Sequence, residues 1–100
     1  MIRYSKKAVS DLDDIGEYIS RELKNPIAAR DTVDGIIAAV SGLNGFPESG
    51  APVLLDYEAT EYRYVLYRNY MAFYTVKGDD VLVLRVIYGR SDYIELLMEF

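Results

Sequence analysis

The first half of the chain contains two stretches in which apolar residues recur at helical spacing. In the first, which follows Ser5, the apolar positions are Ala8, Leu12, Ile15, Ile19 and Leu23. In the second, which follows Pro26, they are Ala29, Val33, Ile36, Val40 and Leu43. Steps of three and four place each set on one face of a helix. Ser5 and Asn25 are suited to cap the two helices, and the short break between them predicts an antiparallel helical hairpin.

The rest of the chain alternates in a way typical of β-strands. We predict a short strand at Ile2–Tyr4 and three longer ones at 61–68, 70–76 and 81–88. Residues 48–59, with Gly50, Pro52 and several acids, are predicted to form a loop, and a short last helix is predicted to run to Leu97. The order β-α-α-β-β-β indicates an α+β fold, with a helical hairpin packed on a mainly antiparallel four-stranded sheet.

Strand alternation also predicts which side chains share a face of the sheet. We expect Arg63 and Arg85 to lie on the face away from the helices. That face would also carry apolar residues, namely Val65, Phe73, Val81, Val83 and Ile87. Because so much apolar surface rarely stands bare, we expect a partner segment or a dimer contact there. The alternative is that the loop 48–59 or the C-terminal tail covers it.

Composition narrows the chemistry that the chain can perform. The 100 residues suit one domain, 1–100, and include no cysteine and no histidine. This inventory excludes a disulfide framework, a thiolate or imidazole metal site and a Ser-His-Asp triad, so no cofactor or metal is expected. Neither a signal peptide nor an apolar run long enough to span a membrane is visible, so we expect a cytoplasmic protein that does not bind membranes.

Charge is distributed unevenly along the chain. The net charge is −5, which disfavours nucleic acid binding by the whole surface. Residues 62–90, however, contain five bases and two acids, so that this stretch alone sums to +3. A local positive patch on the strands is therefore compatible with a phosphate-containing target.

Four segments in order resemble the RelE/ParE superfamily of toxins from bacterial type II toxin–antitoxin systems. They lie within residues 2–19, 43–50, 62–74 and 84–92, and the last, LRVIYGRSD, is similar to the family ending LRVxHGRRD. The resemblance implies the β-α-α-β-β-β fold and a cognate antitoxin partner that wraps a segment around the toxin in a hetero-oligomer. RelE-like members cut messenger RNA on the ribosome, whereas ParE-like members poison DNA gyrase.

The resemblance can be followed residue by residue at the positions that cut RNA in RelE-like toxins. Arg63 stands at a RelE-like lysine position, Val65 at the second lysine position and Met71 at that of a sheet arginine. Arginine is a poor general base because it keeps its proton at neutral pH. The catalytic set is thus depleted, and a nuclease would have to use Arg63, Arg85, Arg90 and Tyr88.

Three functions follow from the resemblance. The apolar residue at Met71 within the run 69–74 is closer to ParE-like sequences, which favours a toxin that inhibits growth by binding DNA gyrase. The alternative is a ribosome-dependent endoribonuclease that acts on messenger RNA. A further alternative is a degenerate, non-toxic binding module. Arg85 has a purely structural interpretation as well, as a sheet arginine paired with a carboxylate such as Glu61 or one on the antitoxin.

Overall fold

The structure, a computed structural model, describes residues 1–89. The chain forms two helices and a five-stranded sheet. The strand order is β1-β5-β4-β3-β2, in which β1 runs parallel to β5 and all other pairs are antiparallel. The elements are β1 Ile2–Tyr4, α1 Lys6–Arg21, α2 Pro26–Ser41, a 3-10 turn Gly42–Asn44, β2 Ala51–Leu55, β3 Glu58–Tyr67, β4 Tyr70–Lys77 and β5 Asp80–Tyr88. The predicted α+β class is confirmed, while the predicted last helix lies outside the described residues.

Both helices begin where the sequence predicts. The Ser5 side chain accepts a hydrogen bond from the Ala8 amide at 3.0 Å, and the Asn25 side chain accepts one from the Ala28 amide at 3.0 Å. Pro26 occupies the first helical position of α2, where no amide hydrogen bond is lost. These caps fix the residues at which the two helices begin.

The sheet has five strands rather than the predicted four. The additional strand, β2, lies at Ala51–Leu55, within the stretch predicted to be a loop. Pro52 and the neighbouring acids obscured it, because proline is disfavoured in central strands. In the structure β2 is an edge strand beside β3, where a missing amide donor is tolerated.

The main core lies between the helices and one face of the sheet. Val81 and Val83 of β5 are buried in it, and so is Val86, although Val86 lies three positions after Val83, a spacing that places residues of a regular strand on opposite faces. The reason is a bulge: Phe73 pairs with Arg85 and Tyr74 with Val83, so that Leu84 is an extra residue that shifts the alternation.

The predicted face is wrong for Arg63, Val65, Val81 and Val83, and it is confirmed for Phe73 and Ile87. Arg63 pairs with Tyr74, which lies in the helix-side core together with Val65, Val81 and Val83. Directly opposed residues of an antiparallel pair share a face, so Arg63 lies on the helix side. The Arg63 guanidinium meets backbone acceptors of a nearby loop, so the charge of this side chain does not require the outer face.

The opposite face of the sheet carries a second, smaller core. Its buried members are Val53, Met71, Phe73 and Ile87, with Tyr62 and Tyr64 packed against them. The rings of Tyr64 and Phe73 lie 5.8 Å apart between centroids. Val53 comes from the stretch 48–59, so that stretch contributes to covering the face. The chain itself buries these apolar side chains, and the expected partner or dimer contact is not needed for them.

Candidate functional site

Arg85 forms a two-pronged ion pair with Asp11 of α1. Its Nε lies 2.7 Å from Asp11 Oδ2 and its Nη2 lies 3.0 Å from Oδ1. The same Oδ2 accepts the amide of Val86 at 2.9 Å. Both charged side chains are largely buried, with 14% and 15% exposed. Arg85 is therefore a sheet arginine paired with a carboxylate, and Asp11 rather than Glu61 is the partner.

The location of this ion pair follows from the shortness of β1. Since β1 ends at Tyr4, the edge of β5 beyond Val83 loses its strand neighbour. The Ser5 amide donates to the Val83 carbonyl at 2.9 Å, and the Ser5 hydroxyl donates to the Leu84 carbonyl at 2.8 Å. Asp11 then accepts the next amide. The start of α1 thus completes the hydrogen bonding of an edge that would otherwise be open.

Arg63 holds the turn that leads into β2. Its Nη1 donates to the carbonyls of Glu48 at 3.0 Å and Gly50 at 2.9 Å. The neighbouring Tyr74 hydroxyl accepts the Gly50 amide at 2.9 Å. Burial raises the pKa of Tyr74, and the hydrogen bond from Gly50 opposes that rise in part. A side chain at Gly50 would overlap the Tyr74 hydroxyl and approach the Tyr64 carbonyl, so glycine is required there.

Tyr88 ends β5, opposite Tyr70 of β4. Its hydroxyl accepts a hydrogen bond from the Asn69 side-chain amide at 3.3 Å, and its ring meets that of Tyr70 edge to face at 5.4 Å. Burial, and next the proximity of Tyr88, raise the pKa of Tyr70.

The candidate nuclease residues are spread over the sheet. Arg63 lies opposite Tyr74, and Tyr88 lies opposite Tyr70. Tyr74 lies four positions after Tyr70 along β4, which corresponds to about 13 Å. Arg85 points to α1, and Arg90 lies outside the described residues. Their assignment as catalytic residues, should the chain be a nuclease, remains a prediction.

An apolar groove separates the helical hairpin from the β3–β4 turn, next to Tyr88. Its volume is about 740 Å³. The lining comes from α1, α2 and the strand ends, including Tyr18, Leu23, Thr32, Arg68 and Tyr70. Tyr18 and Leu23 are both 58% exposed. Sequence periodicity assigned Leu23 to the buried helical face, but α1 ends at Arg21, which leaves Leu23 at the mouth of the groove. Such a groove suits an apolar segment of a partner.

The β2–β3 tip, which we define as residues 54–58, is a second exposed surface that the sequence did not reveal. Asp56 and Tyr57 form its two-residue turn with φ angles of 52° and 68°. Tyr57 is 98% exposed, and Leu54 and Leu55 are nearly half exposed. The prediction of a loop over 48–59 concealed this hairpin, and alternation around Asp56-Tyr57 was the signal available.

Two absences apply to residues 1–89. No group of three or more acidic, cysteine or histidine side chains among them is arranged to hold a metal ion. Over the same residues, neither helix has the length and apolar character needed to cross a membrane.

Comparisons with known proteins place this geometry among toxins. The family model described as "ParE toxin of type II toxin-antitoxin system, parDE" matches residues 2–93. Among solved structures, the chain is similar to one from the chromosomal ParDE system of P. aeruginosa, with a TM-score of 0.74 and 26% identity over 89% of this chain and 95% of that chain. A search of curated protein sequences finds no significant match.

More distant structural neighbours share the fold. One comes from the RelBE2 toxin–antitoxin complex of Mycobacterium tuberculosis, with a TM-score of 0.57 and 19% identity over 92% of each chain. Another comes from the RelB–RelE complex of Methanococcus jannaschii, with a TM-score of 0.51 and 21% identity over 92% of this chain and 95% of that chain.

Proposed function

Because the chain belongs to the ParE family of toxins from type II toxin–antitoxin systems, we propose that it inhibits bacterial growth by binding DNA gyrase. A cognate antitoxin neutralises it by occupying the groove between the helical hairpin and the β3–β4 turn. The alternative within the superfamily is cleavage of messenger RNA on the ribosome.

The structural contacts of Arg63 and Arg85 are the observation that favours gyrase over messenger RNA as the target. Arg63 ends in hydrogen bonds to two loop carbonyls, and Arg85 ends in the ion pair with Asp11. For either to stabilise a phosphorane it would have to leave these partners, which stabilise the fold. Met71, at the position where a RelE-like enzyme has a sheet arginine, is buried in the second core. Within residues 1–89, these features favour a toxin that binds its target over one that cleaves RNA.

The groove supports the antitoxin part of the proposal. The structural neighbours include toxins solved as complexes with RelB-type antitoxins. Here the groove offers mostly apolar lining, with Asp14 and Arg68 at its margin. An amphipathic segment could bury its apolar face against Tyr18 and Leu23 and pair with those charges.

A supercoiling assay tests the target directly. Purified protein is added to relaxed plasmid, DNA gyrase and ATP, and we expect the supercoiled product to decrease as the protein concentration rises. A parallel cell-free translation reaction is analysed by primer extension on the messenger RNA. Unaffected supercoiling together with new ribosome-dependent 3′ ends would establish the endoribonuclease instead. Unaffected supercoiling, intact messenger RNA and normal growth on expression would indicate a non-toxic binding module.

A pair of exposed leucines tests the groove. Leu23→Asp introduces a charge at the mouth of the groove, where the side chain is 58% exposed, so the fold should tolerate it. Leu66→Asp is the matched control, because Leu66 is 59% exposed on β3 and does not line the groove. We expect only Leu23→Asp to weaken binding of the antitoxin encoded beside the toxin gene, measured by calorimetry. Equal losses in both variants would contradict the placement.

A further inference from the structure

We propose that the β2–β3 tip is the surface with which this toxin engages its target, by inserting Tyr57 into an apolar pocket with a basic rim on a protein. This inference rests on the proposed function as a growth-inhibiting toxin, and it names the surface that performs it. The argument uses the backbone of the tip, its direction, its exposure and its charge.

The backbone of the tip is unfavourable for the residue it carries. A two-residue hairpin turn with positive φ at both positions strongly prefers Asn-Gly or Asp-Gly. Asp56 tolerates this region, but Tyr57, at φ 68°, is a bulky residue where glycine is ordinarily found. Residues held in such conformations cluster at functional sites, because folding alone does not favour them.

An irregularity in the pairing of β2 with β3 sets the direction of the tip. Between the pairs Pro52–Arg63 and Leu54–Ala59, β3 contains two more residues than β2, which bends the hairpin. The Thr60 hydroxyl supplies hydrogen bonds where the pairing of β2 with β3 is interrupted. It donates to the Val53 carbonyl at 2.8 Å and accepts a hydrogen bond from the Tyr62 amide at 3.1 Å. The bend is therefore an ordered feature that fixes the direction in which Tyr57 projects.

Exposure and charge identify the kind of partner. Tyr57 is 98% exposed and is flanked by the half-exposed Leu54 and Leu55, so the tip offers a compact apolar knob. Tyrosine is enriched among interface hot spots because it supplies a large rigid surface and a hydroxyl. Residues 54–61 contain three acids and no base, which gives this stretch a charge of −3. That charge repels nucleic acid and complements a basic protein surface.

The matched variants are Tyr57→Gly and Asp56→Gly. Both place glycine in the same turn, where positive φ is favourable, so both should fold. Only Tyr57→Gly removes the exposed tyrosine side chain. In the supercoiling assay we expect Tyr57→Gly to need about tenfold more protein for half inhibition, as for loss of an interface hot spot. Asp56→Gly keeps the aromatic side chain and removes only one of the three acids, so it should raise that concentration by about threefold at most.

A charge reversal distinguishes a protein partner from nucleic acid. Glu58→Lys reverses an exposed charge at the base of the knob. Repulsion from a basic rim should weaken inhibition by about tenfold at low salt, and added salt should reduce that difference. Stronger inhibition by Glu58→Lys would indicate nucleic acid at the tip and would overturn the proposal.

The remaining outcomes separate this inference from the proposed target. If wild type inhibits gyrase and Tyr57→Gly inhibits it equally, the tip proposal is overturned while gyrase remains the target. If wild type does not inhibit gyrase, growth after induced expression is compared. Growth inhibition by wild type that is lost in Tyr57→Gly and kept in Asp56→Gly supports the tip. Equal growth inhibition by wild type and Tyr57→Gly, or no growth inhibition by wild type, overturns the proposal. A dimer of wild type that becomes monomeric in Tyr57→Gly, measured by analytical ultracentrifugation, would assign the tip to self-association and overturn the proposal.

Discussion

The two ends of the sheet differ in how they use their polar and aromatic residues. At the β5 edge, Asp11 and Ser5 complete hydrogen bonds that the short β1 leaves open, and Arg85 is held in an ion pair there. At the other end, the β2–β3 tip exposes Tyr57 almost completely on an unfavourable turn. Arg63 and Arg85, which suggest chemistry in the sequence, stabilise the fold, whereas the exposed Tyr57 is available to a partner. The following predictions test this contrast, from the largest expected effect to the smallest.

Removing the carboxylate at the β5 edge should have the largest effect. Asp11→Ala leaves the Arg85 guanidinium without this partner and the Val86 amide without its acceptor. Removing one side of a largely buried ion pair deprives the remaining charge of its bidentate carboxylate, so we expect a loss of about 3 kcal/mol in the free energy of unfolding. Urea denaturation monitored by circular dichroism measures it.

Two variants control for this result. Asp11→Asn keeps an acceptor for the Val86 amide and should lose less stability than Asp11→Ala. Asp13→Ala removes an exposed acid of the same helix and should change the free energy of unfolding by at most about 0.5 kcal/mol. Equal stability of Asp11→Ala and Asp13→Ala would contradict the stabilising role of Asp11 at the β5 edge.

Glycine substitutions test the turn that Arg63 holds. In Gly50→Ala the new methyl group would overlap the Tyr74 hydroxyl and lie about 2.8 Å from the Tyr64 carbonyl. We expect a loss of about 2 kcal/mol in the free energy of unfolding, since such overlap forces backbone shifts. Gly45→Ala is the control, because a side chain there meets open space. Thermal unfolding of both variants should separate them, and an equal Tm would contradict the packing around Gly50.

The hydroxyl of Tyr74 should contribute less than either of these. Tyr74→Phe leaves the buried Gly50 amide without its acceptor, which should lower the free energy of unfolding by about 1 kcal/mol. Tyr57→Phe, on the exposed tip, should change nothing measurable. Chemical denaturation of the two variants at neutral pH provides the comparison.

The pH dependence gives a second measurement on Tyr74. Its pKa is raised by burial above the ordinary value of about 10.0, so the folded state keeps a proton that the unfolded state releases. Stability should therefore be independent of this group below about pH 10 and fall as pH rises above it. Tyr74→Phe should reduce that alkaline slope, and Tyr4 and Tyr70, whose pKa values burial also raises, should maintain the remainder. An unchanged slope would contradict the assignment.

Local sequence signals predicted the helical hairpin and four of the five strands, because caps and periodicity act within a few residues. Ser5, Asn25 and Pro26 fix the helix starts in this way. The parts that the sequence did not predict depend on long-range geometry. The bulge at Leu84 shifts the faces of β5, and Pro52 is acceptable only because β2 lies at the edge.

The candidate site was harder to predict for the same reason. Arg63 and Arg85 match positions that bear charge in the superfamily, but their hydrogen-bond partners lie 13 to 74 residues away in sequence. No local pattern shows that Asp11 would meet Arg85. Conversely, the exposure of Tyr57 depends on where β2 ends, and that of Leu23 depends on where α1 ends.

The smallest expected effect is a gain in stability at the tip. Tyr57→Gly replaces a bulky residue at φ 68° by one that adopts this conformation readily, which removes about 1–2 kcal/mol of backbone strain. The greater freedom of glycine in the unfolded chain offsets part of that gain, so we expect a net rise of about 0.5 kcal/mol in the free energy of unfolding. Asp56→Gly should change it by less, because aspartate tolerates positive φ. Urea denaturation of both variants measures the difference, and a marked loss of stability in Tyr57→Gly would mean that the side chain serves the fold. A gain would show that folding alone does not select tyrosine at this turn, which is the behaviour expected of a contact residue.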